Sequence, residues 1–111
     1  LLHHLRSLYS TCTYFMEEDM KGIIVGPENN GEGVYTLVAE DGEGMCSHFC
    51  SYAGYAMADL YSTRPERKEM FNKKGITEVV YLNESGISRE ELFKRNKEYF
   101  ELHKNDKDEE I

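Results

Sequence analysis

The feature that most constrains this chain is a turn. Two strand-like apolar stretches, "GIIV" (Gly22 to Val25) and "GVYTLVAED" (Gly33 to Asp41), flank "PENNGEG" (Pro27 to Gly33), which is dense in turn formers. Within it, Asn30-Gly31 is a hairpin signal, because both central residues of the favoured tight turn need positive φ. The two stretches are therefore expected to pair antiparallel, which commits the chain to a sheet. In the second stretch Val34, Thr36 and Val38 share one face, and Tyr35, Leu37 and Ala39 share the other. Both faces are apolar, so this reads as a central strand. After the turn "EDGEG" (Glu40 to Gly44), "MCSHFCS" (Met45 to Ser51) reads as the third strand of a meander.

The period then changes. In "SYAGYAMADLY", Tyr52, Ala56 and Asp59 recur at helical spacing, as do Ala53, Met57 and Leu60, with Ser47 or Ser51 as the expected cap. Gly54 weakens an isolated helix by about 1 kcal/mol relative to Ala. Beside Ala53, Ala56 and Ala58 it predicts a close approach to the sheet instead. "STRPERKEMFNKKG" reads as a second short helix, capped by Ser62 or Thr63, with Pro65 in its first turn and Gly75 as its stop. "ITEVVYLNE" (Ile76 to Glu84) reads as a fourth strand. The last helix opens on a capping box, Ser88 with Glu91, and a hydrophobic staple, Ile87 with Leu92. Leu92, Phe93, Tyr99, Phe100 and His103 form its apolar stripe, which must bury against the sheet or a partner. The expected architecture is α+β: a small antiparallel sheet of about four strands in the order β-β-β-α-α-β-α, with helices packed on one face.

The 111 residues suffice for one domain, expected over residues 20–104, followed by an acidic polar tail at 105–111. Residues 1–19 are expected to be a non-native or disordered extension. Met16 to Asp19 can be encoded by a purine-rich, ribosome-binding-like run just ahead of Met20, which would make Met20 the start. The alternative is an amphipathic helix on Leu1, Leu5 and Leu8.

The formal net charge is −8, and it is −6 without residues 1–19, since one Arg and three acids leave with them. Acidity of this size disfavours general nucleic-acid binding. No apolar run nears the roughly 18 residues of a membrane span. Three cysteines (Cys12, Cys46 and Cys50) and no clean secretory signal point to a reducing, cytoplasmic setting.

Two constellations carry candidate chemistry. Cys46, His48 and Cys50 alternate, so on a strand they share a face. Thiolate and imidazole are zinc ligands, but a closed site needs a fourth ligand, His103 or a carboxylate. Same-face neighbours on a flat strand also sit about 6–7 Å apart. The bland reading is that both cysteines are core, as cysteine usually is. In the second constellation, Ser47, His48, Ser51 and Tyr52 stand where a strand enters a helix, whose free N–H groups favour an anion. Arg64 and Arg67 would close over it, and Tyr52 and Tyr55 would stack on a base. The bland reading is capping hydroxyls and solvated arginines. Asp59, in an alanine-rich helix, needs a partner, for which Arg64 or Arg67 is the candidate.

"GEGMCSHFCSYAGYAMADLY" followed by "RPER" resembles a segment of small uncharacterised proteins of phages and mobile elements in Gram-positive bacteria, over roughly residues 33–85. The resemblance implies a cytoplasmic accessory factor and carries over no catalytic residue. The leading expectation is a non-enzymatic binding protein, without cofactor, that sequesters a host protein or a nucleotide-like phosphorylated small molecule. A homodimer through the last helix is also expected. The alternatives are a small hydrolase or transferase using a Cys–His pair, and a zinc-stabilised module.

Overall fold

A computed structural model describes residues 20–62 and 65–110 (backbone alone at 62 and 105–110). The elements are β1 (Met20–Val25), β2 (Gly33–Ala39), β3 (Gly44–Cys50), α1 (Ala53–Met57), a π-helical turn (Ala58–Ser62), α2 (Pro65–Lys74), β4 (Ile76–Tyr81), a 3₁₀ turn (Leu82–Glu84) and α3 (Arg89–Glu110). The α+β order expected from the sequence is the order observed. The backbone of α3 continues through most of the segment read as a tail. Expectations that fall on residues 1–19, Thr63 and Arg64, and on the Ser62 side chain, lie outside the described residues.

The four strands form one sheet in the order β3-β2-β1-β4. The meander is antiparallel, with Ile23 opposite Val38 and Tyr35 opposite His48. β4, however, pairs parallel with β1, Ile23 lying opposite Val80. The sheet is therefore mixed rather than wholly antiparallel. The connection allows it: β3 runs in the direction of β1, and two helices cross the sheet before β4 begins. A crossover of this length can return the chain to the same end, which is what a parallel neighbour requires.

The hairpin turn is wider than the tight form its Asn-Gly pair suggests. Asn30 alone takes a left-handed conformation there, at φ 58°. Its N–H donates to Pro27 O (2.9 Å), and Gly31 N–H donates to Asn29 Oδ1 (3.0 Å). The side chain of Asn29 thus does work that a two-residue turn would leave to the backbone.

Because both central strands are apolar on both faces, both faces need cover, and helices occupy both rather than one. On the first face Met20, Ile24, Tyr35, Leu37 and Ile76 are buried with Ala56, Leu60 and Phe71 from the crossover. On the second, Ile23, Val25 and Val38 are buried with Leu92 of α3. The start of α3 is capped as the sequence implies: Ser88 Oγ accepts from Glu91 N–H at 3.0 Å. The Glu91 carboxylate accepts from Arg95 Nε at 2.9 Å. Farther along, α3 lies so close to the β2–β3 turn that a Cβ on Gly42, at φ +107°, would stand 2.3 Å from Arg95 O. The helix stripe is buried only in part. Leu92 is inside, whereas Phe93 and Phe100 are exposed.

Candidate functional site

The edge strand β3 sends its side chains to opposite faces in turn. Cys46, His48 and Cys50 face the crossover, and Ser47 and Phe49 face the other way. The crossover folds straight back onto this strand. Buried Ala56 and half-buried Ala53 allow that approach and Leu60 enters the core, whereas Gly54 and Ala58, expected to join them, are exposed. The π-helical turn that carries Asp59 and Leu60 is wider than an α-turn. With Leu60 directed into the core, Asp59 faces β3.

The result is a cluster of His48, Cys50 and Asp59. Asp59 Oδ2 lies 3.5 Å from His48 Nδ1. Cys50 Sγ donates to the same Oδ2 at 3.4 Å and stands 3.9 Å from the same Nδ1. The thiol is buried, at 3% exposure, while the imidazole side chain is 44% exposed. Burial, then the hydrogen bond to Asp59 and the Asp59 charge, push the Cys50 thiol above its ordinary value. Such a thiol is protonated and a weak nucleophile.

This geometry separates two kinds of chemistry. A nucleophile–base–acid relay uses both imidazole nitrogens, one for each partner. Here sulfur and carboxylate both approach Nδ1, so the three groups converge on a point instead of forming a chain. Convergence is the arrangement of ligands.

The trio read from the strand alone, Cys46, His48 and Cys50, is not the one that forms. Cys46 Sγ donates to Leu60 O at 3.5 Å inside the crossover packing. Burial pushes its thiol up, with Arg67 partly offsetting. His48 and Cys50 also come closer than the roughly 6–7 Å expected of same-face neighbours on a flat strand, at 3.9 Å between Nδ1 and Sγ. Backbone positions two apart are widely spaced, but the His48 ring leans towards Cys50 and closes the gap. Asp59 does not take the arginine partner that the sequence suggests for its carboxylate. Instead the Arg67 guanidinium donates to the Asp59 backbone carbonyl and leaves the carboxylate to face β3. The available signal was that a helix leaving Cys50 and packing back on its own strand carries residue 59 over it.

The second constellation is dispersed. Ser47 points away from His48, its Oγ 3.1 Å from Thr36 Oγ1 on the opposite face. Tyr52 caps α1 with no side-chain hydrogen bond, so neither Ser47 nor Ser51 fills that role. At five residues, α1 has little dipole to offer an anion. Ser51 is exposed. Tyr52 and Tyr55 are half-exposed, their ring centroids 4.6 Å apart.

A separate cleft of about 460 Å³ opens at the carboxyl ends of β1 and β4, between Tyr81, Asn83, Ser88 and Arg89. Arg89 Nη1 donates to Gly26 O there at 3.0 Å and serves the fold. Among the described residues no helix is long and apolar enough to cross a membrane. Comparison of the chain with known proteins found no matching family model, curated protein or solved structure.

Proposed function

We propose that this protein is a non-catalytic binding module that captures a protein partner along edge strand β3. The observation that carries this reading is a cross-strand pair left open on the second face. Val34 and Phe49 sit opposite each other and are 57% and 58% exposed. A paired valine and phenylalanine in water lose the burial that usually stabilises such a pair. The tyrosine pair Tyr52–Tyr55 follows at the exit of the same strand, and half-exposed aromatics of this kind are enriched where proteins meet.

Among the described residues β3 is hydrogen-bonded to a strand on one side only. An extended segment of a partner can add there as a fifth strand, its backbone supplying the free hydrogen bonds and its side chains meeting Phe49. The loop at this end carries exposed Glu28 and Glu32, and the whole chain is acidic at −8. The fitting partner segment is therefore apolar and basic. A protein is favoured over a phosphorylated small molecule because Ser47 and His48 lie on opposite faces and Arg67 is engaged with a backbone carbonyl. Sequestration of a host protein by a cytoplasmic, phage-type accessory factor fits this surface. It needs no nucleophile or base.

The test places a photo-activatable residue at Val34 and, as control, at exposed Asn72 on the opposite face. A discrete adduct is expected from position 34, absent from position 72, lost with Phe49→Asp and weakened by salt. Equal adducts from both positions, or none from position 34, would overturn the reading.

A further inference from the structure

We infer that His48, Cys50 and Asp59 form a binding site for a zinc-class divalent cation, through Nδ1, Sγ and Oδ2. The inference stands apart from the partner surface, since these side chains face the crossover and Phe49 faces the other way.

The three donor atoms are spaced as zinc requires. Zinc holds sulfur at about 2.3 Å, imidazole nitrogen at about 2.0–2.1 Å and carboxylate oxygen at about 2.0–2.2 Å, in a tetrahedron. Those lengths and angles require donor-to-donor separations of about 3.6 Å for S···N, about 3.6 Å for S···O and about 3.4 Å for N···O. The observed separations are 3.9, 3.4 and 3.5 Å. All three donor atoms lie within 4.8 Å of one another. The observed separations therefore depart from the required ones by only about 0.1–0.3 Å.

The donor set points the same way. One thiol, one imidazole and one carboxylate make a mixed, borderline-soft set, suited to zinc and poorly suited to calcium or magnesium, which take oxygen. Three protein ligands leave the fourth tetrahedral position open, as in zinc sites that keep an exchangeable water. Solvent reaches the cluster, since the His48 and Asp59 side chains are 44% and 36% exposed. The thiol, by contrast, is anchored in the core.

The support around the ligands is also present. Arg67 holds the Asp59 backbone from behind through its carbonyl. Cys50 is fixed by its strand pairing with Gly33. Positions held this way restrict ligand motion, which is how outer contacts raise metal affinity. On binding, the Cys50 S–H bond breaks and its proton leaves to solvent. The electron pair freed on sulfur forms the bond to the metal.

Cobalt(II) added to the full chain under reducing conditions tests the site. The expected result is one cobalt per chain, with tetrahedral d–d absorption and a thiolate-to-cobalt charge-transfer band, both removed by zinc. Cys50→Ala abolishes the band. His48→Gln and Asp59→Asn each weaken binding by at least the roughly 10–100-fold that loss of an outer contact costs. Cys46→Ala and Cys12→Ala leave the spectrum unchanged. Circular dichroism confirms that each variant is folded. Should buried Cys50 prove essential for folding, the exposed His48→Gln decides. An octahedral cobalt spectrum, a charge-transfer band that survives Cys50→Ala, or one lost with Cys46→Ala would overturn the inference.

Discussion

The two faces of this sheet are closed by different means. The first is covered by the crossover, whose path is compulsory. A chain leaving β3 at one edge and entering β4 at the other must traverse β2 and β1, and it buries Tyr35, Leu37, Leu60 and Phe71 on the way. The second is covered by a terminal helix that crosses only part of it. Leu92 is the helix residue buried there, and polar ties hold the rest in place: Arg95 to Glu40 O at 3.0 Å, and Asn96 to Gly42 O at 2.8 Å. One face is held by apolar area, the other by a short apolar contact and hydrogen bonds to a turn. The difference explains why exposed Val34 and Phe49 share the second face and why Cys50 and Asp59 meet on the first.

The largest expected effect comes from the fully covered face. Leu37→Ala leaves a cavity enclosed on all sides and should cost about 3–5 kcal/mol. Leu92→Ala opens a site beside a partly wetted helix that can settle, and should cost about 2–3 kcal/mol. Urea unfolding of both variants measures the gap. Equal costs would mean that α3 is as integral as the crossover, and the comparison between the faces would fail.

These two faces were not equally readable in the sequence. The alternation of Tyr35, Leu37 and Ala39 against Val34, Thr36 and Val38 already implied a central strand with cover on both sides. The expectation of helices on one face overlooked that demand. The parallel pairing of β4 with β1 was not legible in the same way, because a long helical crossover permits a parallel neighbour without requiring one. The Ser88 cap was legible because its signal is local. The His48–Cys50–Asp59 cluster was not, since it depends on where a π-helical turn aims residue 59 after the chain doubles back. No periodicity encodes that turn. Splitting Ser47 from His48 needed only strand alternation, yet their adjacency in sequence obscured it.

Lys74 ties the two faces together and yields a smaller effect. At the end of α2, its ammonium lies 2.7 Å from both Asp41 Oδ2 and Glu43 Oε1 in the β2–β3 turn. It also stands 5.0 Å from the centre of the Tyr99 ring on α3. Burial pulls the Lys74 ammonium down, but the hydrogen bonds and charges of Asp41 and Glu43 outweigh it, and the group titrates above the ordinary lysine range. A raised folded-state value means that the stabilisation is complete below the unfolded value, about 10.4, and is lost as pH rises through the folded one. Lys74→Met should cost about 1–2 kcal/mol near neutrality, between the values for exposed and buried pairs. The gap between wild type and variant should close as pH rises beyond about 10.4. Urea midpoints measured across that range check it. A gap that widened with pH would remove Lys74 as the link.

The smallest effect is expected where the second face is open. Val34→Thr and Phe49→Thr place a β-branched side chain on each strand, so local strand preference is largely retained. Neither residue is enclosed, and each change should alter stability by no more than about 0.5 kcal/mol. The two residues are opposite each other, so the double variant tests whether they contribute as a pair. Coupling above about 0.5 kcal/mol would show that they stabilise each other in water. Near-additive values, together with loss of the adduct from position 34 in the Phe49→Thr background, would separate the surface from the core: residues that cost nothing to replace in the isolated chain but are needed for a partner to dock. A loss of more than about 1 kcal/mol for either single change would instead place the pair inside the packed structure. The second face would then be as fully covered as the first.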